Sequence, residues 1–237
     1  MAESLNGKHF LITGASKGLG KSLAKALHQQ GAVLSLTARN LGQLEDLKND
    51  LGGRTKVYGA DLADSSSIPN MLDYFRNESG AFDGIINNAG LGWYKPADAY
   101  SFDESEQVMQ VNFNSLVHVT QAVIPDLKRK GGGAILNIAS DLSRRPLANF
   151  ALYTAAKHAV AGYSQSLTRE LKEFNIRVMV MTPGLIDTGF GGRNPGDIKP
   201  PVALNPDDLA EIAVFMLTRP AYVIMDEVSV HPAAQDF

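Results

Sequence analysis

Seven short, mostly apolar runs alternate with six segments of helical period, and no other feature of the chain constrains its fold as strongly. The runs are His9 to Thr13, Val33 to Thr37, Lys56 to Gly59, Gly84 to Asn87, Ala134 to Ala139, Val178 to Thr182 and Val223 to Val230. Lys21 to Gln30, Leu41 to Leu51, Ile68 to Phe75, Glu104 to Arg129, Tyr153 to Phe174 and Pro206 to Leu217 carry the helical pattern between them. Strand and helix in strict alternation call for parallel strands joined by right-handed crossovers. The runs do not alternate apolar with polar, as expected of strands covered on both sides. The expected class is therefore α/β: a doubly wound Rossmann fold with a parallel seven-stranded sheet and helices on both faces. The chain shows no repeat or linker, so residues 1–237 read as a single domain. Gly189 to Pro201 (GFGGRNPGDIKPP) is dense in glycine and proline inside that domain. It reads as a loop over about 189–205, a candidate substrate lid.

Composition matters mainly for what it excludes. A net charge of −3 supplies no basic field for nucleic acid. The chain has no cysteine, which rules out disulfides and thiolate chemistry and suits the cytoplasmic setting expected here. No apolar run reaches the ~20 residues needed to span a bilayer, and MAESLNGKHF lacks a signal-peptide layout. The five histidines have no metal-ligand spacing.

After the first run comes TGASKGLG, Thr13 to Gly20. Ligands of open α/β sheets lie beyond the carboxyl ends of the strands. Glycine lets backbone approach a phosphate, and the next helix offers free N–H groups and a positive dipole end. The spacing G-x-x-x-G-x-G between a strand and a helix points to a dinucleotide. The second run ends in Thr37-Ala38-Arg39-Asn40, without the acid that holds a ribose 2′-hydroxyl. Arg39, with Lys17 of the glycine loop, can pair with a 2′-phosphate instead, although both also suit an ordinary solvated surface. The expected cofactor is NADP(H).

Tyr153 and Lys157 stand at i and i+4 and share a helix face. A cation near a phenol favours phenolate and lowers its pKa from ~10, which suits proton transfer near neutrality. Ser140 ends the fifth run, thirteen residues before Tyr153. Asn87-Asn88-Ala89-Gly90 ends the fourth and Pro183-Gly184 the sixth, with Thr188 beyond. Asn112 lies inside a long helical segment, where asparagine is a poor helix former and is generally exposed.

Taken in order, Thr13-Gly14…Gly18…Gly20, Asp61, Asn87-Asn88-Ala89-Gly90, Asn112, Ser140, Tyr153…Lys157 and Pro183-Gly184…Thr188 resemble the short-chain dehydrogenase/reductase family over about four-fifths of the chain. The resemblance implies that Gly14, Gly18 and Gly20 shape a pyrophosphate turn, with Ser16, Lys17 and Leu19 beside them. It implies an adenine hydrogen bond from Asp61, a role for Asn88 in steadying the central sheet near the cofactor, and cofactor contacts from Leu62, Asn88, Ala89, Gly90, Pro183, Gly184, Ile186 and Thr188. Tyr153 would be the acid in reduction and the base in oxidation. Lys157 would bind the nicotinamide ribose and tune Tyr153, Ser140 would hold the carbonyl oxygen, and Asn112 would support a water. Asp61 also reads as a turn acid and Asn112 as a kink residue. Ser143 has the wrong spacing to Tyr153 to replace Ser140.

The implied function is an NADPH-dependent carbonyl reductase or alcohol dehydrogenase, acting on a small keto or hydroxy compound or a 3-oxoacyl thioester. A family epimerase or dehydratase, and an NADP-binding scaffold or sensor without turnover, remain alternatives. Homodimer or homotetramer is the expected assembly. The tail Val228-Ser229-Val230-His231-Pro232-Ala233-Ala234-Gln235-Asp236-Phe237 lacks the glycine-rich segment of many members and is similar to that of reductases of small hydroxy or keto compounds. Arg144, Arg145 and Arg193 could meet an anionic substrate or be solvated. Lys128-Arg129-Lys130 could dock an acyl carrier protein or be a solvated face. Trp93, Tyr94, Phe150 and Leu152 are candidate pocket walls.

Overall fold

The computed structural model describes residues 3–192 and 194–235, so Arg193, Asp236 and Phe237 lie outside the described residues. The strands are β1 (His9–Thr13), β2 (Val33–Ala38), β3 (Thr55–Gly59), β4 (Gly84–Asn87), β5 (Gly133–Ile138), β6 (Ile176–Pro183) and β7 (Glu227–Val230). They form one parallel sheet in the order β3-β2-β1-β4-β5-β6-β7. The helices are α1 (Gly18–Gln29), α2 (Leu41–Leu51), α3 (Ser67–Ser79), α4 (Phe102–Met109), α5 (Ser115–Arg129), α6 (Ala151–Leu171) and α7 (Pro206–Leu217).

Register explains why these strands are apolar throughout. Leu11 stands beside Ile85, Ile85 beside Ile135 and Ile135 beside Val178, a row of four buried side chains on one face. The next row, Ile12, Ile86, Leu136 and Met179, points to the other face. The first row packs under α3, α5 and α6, through Phe75, Val123 and Leu167 among others. The second packs under α1, α2 and α7, through Leu23, Leu47 and Ala213. A strand covered on both sides has no polar face to keep.

Several boundaries shift by a few residues from the sequence expectation, and three differences stand out. Helix α1 begins at Gly18 rather than Lys21, which places two glycines in its first turn. Strand β7 begins at Glu227 rather than Val223, because Val223 N donates to Pro220 O and closes a turn there. The long helix expected over Glu104 to Arg129 is interrupted by a π-turn at Gln110–Asn114, between α4 and α5. Helix α4 starts on a capping box, with Ser101 and Glu104 satisfying each other's backbone N–H groups.

The candidate lid is irregular, with a short 3₁₀ turn at Phe190–Gly192, and it ends where Ile186 and Leu204 pair in parallel. Among the described residues no helix is long and apolar enough to cross a membrane. The order of strands reverses between β1 and β4, and the loops leaving those two strands part there to open a crevice.

Candidate active site

The crevice is a cleft of about 750 Å³ along the carboxyl edge of the sheet. Its floor is a seam between the loops after β1 and β4. Thr13 Oγ1 accepts from the backbone N–H groups of Asn88 and Ala89, each at 3.0 Å. Asn88 Nδ2 donates to Thr13 O at 2.9 Å and to Gly14 O at 3.1 Å. The close approach demands glycine. Gly14 has φ +66°, and a Cβ there would stand 2.8 Å from Ala89 Cα. A Cβ on Gly20 would stand 2.2 Å from Gly14 O. Asn88 therefore holds the seam. The part played by Thr13 was not separately expected.

Gly14, Ser16, Lys17, Gly18, Leu19 and Gly20 line one wall. No side chain caps α1, and no acid lies in its first turn, so its leading N–H groups face the cleft uncompensated. Arg39 and Lys17 line the same end, are exposed, and have no ion-pair partner among the described residues. Asp61 and Leu62 line it beyond β3. One carboxylate oxygen of Asp61 closes a turn by accepting from Ala63 N at 3.0 Å, and the residue also edges the cleft. A glycine cradle, an uncapped helix start and two unpaired cations fit a phosphorylated dinucleotide. Ala89, Gly90, Pro183, Gly184, Ile186 and Thr188 line the opposite end. Thr188 reaches across to within 3.1 Å of where a Gly18 Cβ would be.

At that end Ser140, Tyr153 and Lys157 converge. Helix α6 carries the last two one turn apart. Lys157 is 3% exposed, and its ammonium donates to Ile138 O at 2.9 Å. Burial holds its pKa down, to about 8. Burial also pushes the Tyr153 phenol up, opposed by a hydrogen bond with the Ser140 hydroxyl and reinforced by the Asp141 carboxylate. This corrects the expectation that Lys157 lowers the Tyr153 pKa. The ammonium lies 5.5 Å from the centroid of the Tyr153 ring and spends a proton on Ile138, so desolvation outweighs its charge.

Asn112 is 1% exposed and sits on the π-turn, where the kink expected of it lies, and not on the solvent-facing side usual for a helical asparagine. Its amide donates to Leu91 O (2.7 Å) and Val108 O (2.8 Å), and its oxygen accepts from Leu91 N at 3.3 Å. It stands behind Gly90, where a Cβ would lie 2.9 Å from Asn112 Oδ1 and 3.6 Å from Lys157 Nζ. Gly92, which the sequence reading passed over, leaves room for the Tyr153 ring: a Cβ there would be 2.9 Å from Tyr153 Cδ2.

Ser140 is buried beside Asp141. Its hydroxyl donates to Asp141 Oδ1 at 3.1 Å and accepts from Leu142 N at 3.2 Å. Ser143 turns away, donating to Ser140 O at 2.5 Å. Asp141 was missed because an acid next to a serine carries no motif. Gln235, also missed, enters from the tail and bonds both Asp141 and Leu185 N.

Beyond Tyr153 the walls are apolar: Leu91, Tyr94, Leu142, Leu147, Phe150 and Phe190. The Phe190 ring lies 5.3 Å from that of Tyr153. Trp93 and Leu152 do not line the cleft. Trp93 instead packs against Tyr100, 6.4 Å between rings. Arg145 lines the cleft, while Arg144 forms a bidentate pair with Glu227. The basic run at the end of α5 is locally engaged, with Lys128 over the Phe174 ring at 3.6 Å, Arg129 on Asp126 and Lys130 on Asp83.

Residues 8–197 match the family model described as short chain dehydrogenase. An uncharacterized oxidoreductase of Staphylococcus epidermidis is 33% identical over 94% of this chain and 96% of its own. An alcohol dehydrogenase of the archaeon Thermococcus sibiricus, solved with 5-hydroxy-NADP, superposes with a TM-score of 0.90 at 30% identity over 97% of this chain and 98% of its own. A 3-ketoacyl-(acyl-carrier-protein) reductase of Brucella melitensis, solved with NADH, gives 0.91 at 29% identity over 97% and 99%. On its sheet order, its cleft and these matches, the chain is an oxidoreductase-type member of the short chain dehydrogenase family.

Proposed function

We propose that the chain is an NADPH-dependent carbonyl reductase, and in reverse an alcohol dehydrogenase, working on a compound with an apolar body. One observation carries the reading: Ser140, Tyr153 and Lys157 meet at one end of a cleft whose other end presents Arg39 and Lys17 unpaired among the described residues. The nicotinamide, when bound, supplies the hydride.

The chain's residues handle the oxygen. Tyr153, kept protonated by burial, donates to the carbonyl oxygen as negative charge grows there and then delivers its proton. Ser140 gives a second hydrogen bond, for which its hydroxyl must turn from Asp141 to the substrate. Lys157, buried and poised at about 8, is placed to return a proton toward Tyr153, and Asn112 fixes the backbone behind it. Leu147, Phe150 and Phe190 exclude water and suit an aromatic or aliphatic ketone. The local pairing of Lys128, Arg129 and Lys130 weighs against a carrier-protein substrate. We read residues 1–237 as one domain, cytoplasmic and assembled as a homodimer or homotetramer, with the loop at 189–205 selecting the substrate.

The test is NADPH consumption against aromatic and aliphatic ketones, diketones and acetoacetyl thioesters, with NADH in parallel. Turnover that requires NADPH and falls by at least ~10³-fold in Tyr153→Phe, as removal of a general acid predicts, supports the reading. Tight NADPH binding with no consumption across the panel would favour a scaffold, and substrate isomerisation without net NADPH loss an epimerase.

A further inference from the structure

The tail beyond β7 folds back over the cleft. Gly184 N donates to Val230 O at 2.8 Å, Pro232 is buried, and Gln235 N donates to Pro232 O at 3.0 Å, closing a turn that aims the Gln235 side chain inward. That side chain uses both ends of its amide. Its oxygen accepts from Leu185 N at 3.1 Å, and its nitrogen donates to Asp141 Oδ2 at 2.5 Å. The amide can face only this way, because a backbone N–H only donates and a carboxylate only accepts. A Cβ on Gly184 would stand 2.3 Å from Gln235 Oε1, so the glycine there makes room for this contact.

We propose that Gln235 is a positioning residue that ties the turn at Gly184-Leu185 to the loop at Ser140-Asp141. This sets the spacing between the nicotinamide end of the cofactor and the carbonyl held by Ser140 and Tyr153. The inference rests on the cofactor reading above. Glutamate would keep the acceptor for Leu185 but set a carboxylate against Asp141. Leucine would keep the volume and lose both bonds. Asp141 gains from the contact too, since its Oδ1 takes the Ser140 proton while Gln235 fixes its Oδ2. Among the described residues, Lys157 and Arg145 are the other charged side chains lining this end of the cleft.

The experiment compares wild type, Gln235→Leu and Gln235→Glu in three readouts: NADPH binding by fluorescence, binding of 2′,5′-ADP, which lacks the nicotinamide half, and steady-state kinetics. Gln235→Leu is expected to weaken NADPH about 10-fold, leave 2′,5′-ADP within about 2-fold, and lower kcat about 10- to 100-fold, the scale of a misplacement near 1 Å. Gln235→Glu, which keeps the Leu185 bond, should recover part of the NADPH affinity but not kcat. Unchanged NADPH binding and kcat in Gln235→Leu overturn the proposal. So does equal weakening of both ligands, which would mark a general structural role. If wild type binds 2′,5′-ADP and the selective loss is missing, the proposal fails alone; if wild type binds neither ligand, the cofactor reading fails and takes the proposal with it.

Discussion

Arg39 is the exposed side chain on which the proposed NADPH preference chiefly rests. It follows β2 where an acid would hold an unphosphorylated ribose, and it lines the cleft without an ion-pair partner among the described residues. On the proposed reading Arg39→Ala removes a charge-assisted fork to the 2′-phosphate, a contact of about 1.5–3 kcal/mol. The KM for NADPH should rise about 10- to 100-fold while that for NADH stays near its starting value. Equal change in both would mean that Arg39 does not read the 2′-phosphate. Lys157 is the opposite kind of residue, buried at a cost. Its folded pKa, about 8, lies below the ordinary value of 10.5, so between those values the unfolded chain holds more protons. Its burden on stability is therefore full below about pH 8 and fades as pH rises toward 10.5. Lys157→Met should abolish turnover yet stabilise the ligand-free protein by about 1–3 kcal/mol at pH 7, with a smaller gain at pH 9.5, read by denaturant unfolding. Above pH 10 the raised Tyr153 and Tyr163 phenols act the other way, and stability falls as they fail to ionise in the fold.

Among the elements, the π-turn at Gln110–Asn114 has the most distinct consequence. One extra residue in a helical turn swings Asn112 inward, where it satisfies both backbone groups of Leu91 and the carbonyl of Val108. Asn112→Ala strands these buried groups. It should cost about 2–4 kcal/mol in denaturant unfolding and lower kcat, and Asn112→Asp, which keeps the acceptor for Leu91 N but sets a carboxylate against the Leu91 and Val108 carbonyls, should cost at least as much. An unchanged midpoint for Asn112→Ala would show that solvent reaches Leu91.

The sequence carried the elements well where apolar runs had a single reading. Strands such as Gly84–Asn87, buried on both faces, cannot be disguised. The π-turn was not legible, because Gln-Val-Asn-Phe-Asn has no proline or glycine and its period differs from that of a helix by one residue. Cleft residues were legible where glycine or a spacing marked them. Asp141 and Gln235 were not, since their hydrogen bond joins positions 94 apart. The Tyr153 pKa went wrong for a related reason: spacing put Lys157 on the same face, but only the packed structure shows its proton committed to Ile138.

At the scale of the whole molecule, the cleft belongs to neither half of the sheet. It opens where β1 meets β4, and the seam there joins Thr13 to Asn88, 75 positions further along. Strands β2 and β3 hang on one side of that seam and β5, β6 and β7 on the other. A ligand seated across it acts as a clasp between the two halves. Its binding free energy then adds to the cohesion of the entire sheet, in proportion to the logarithm of its concentration. For a fold divided in this way, resistance to unfolding should rise with the supply of cofactor in its surroundings, which unfolding with and without added cofactor measures.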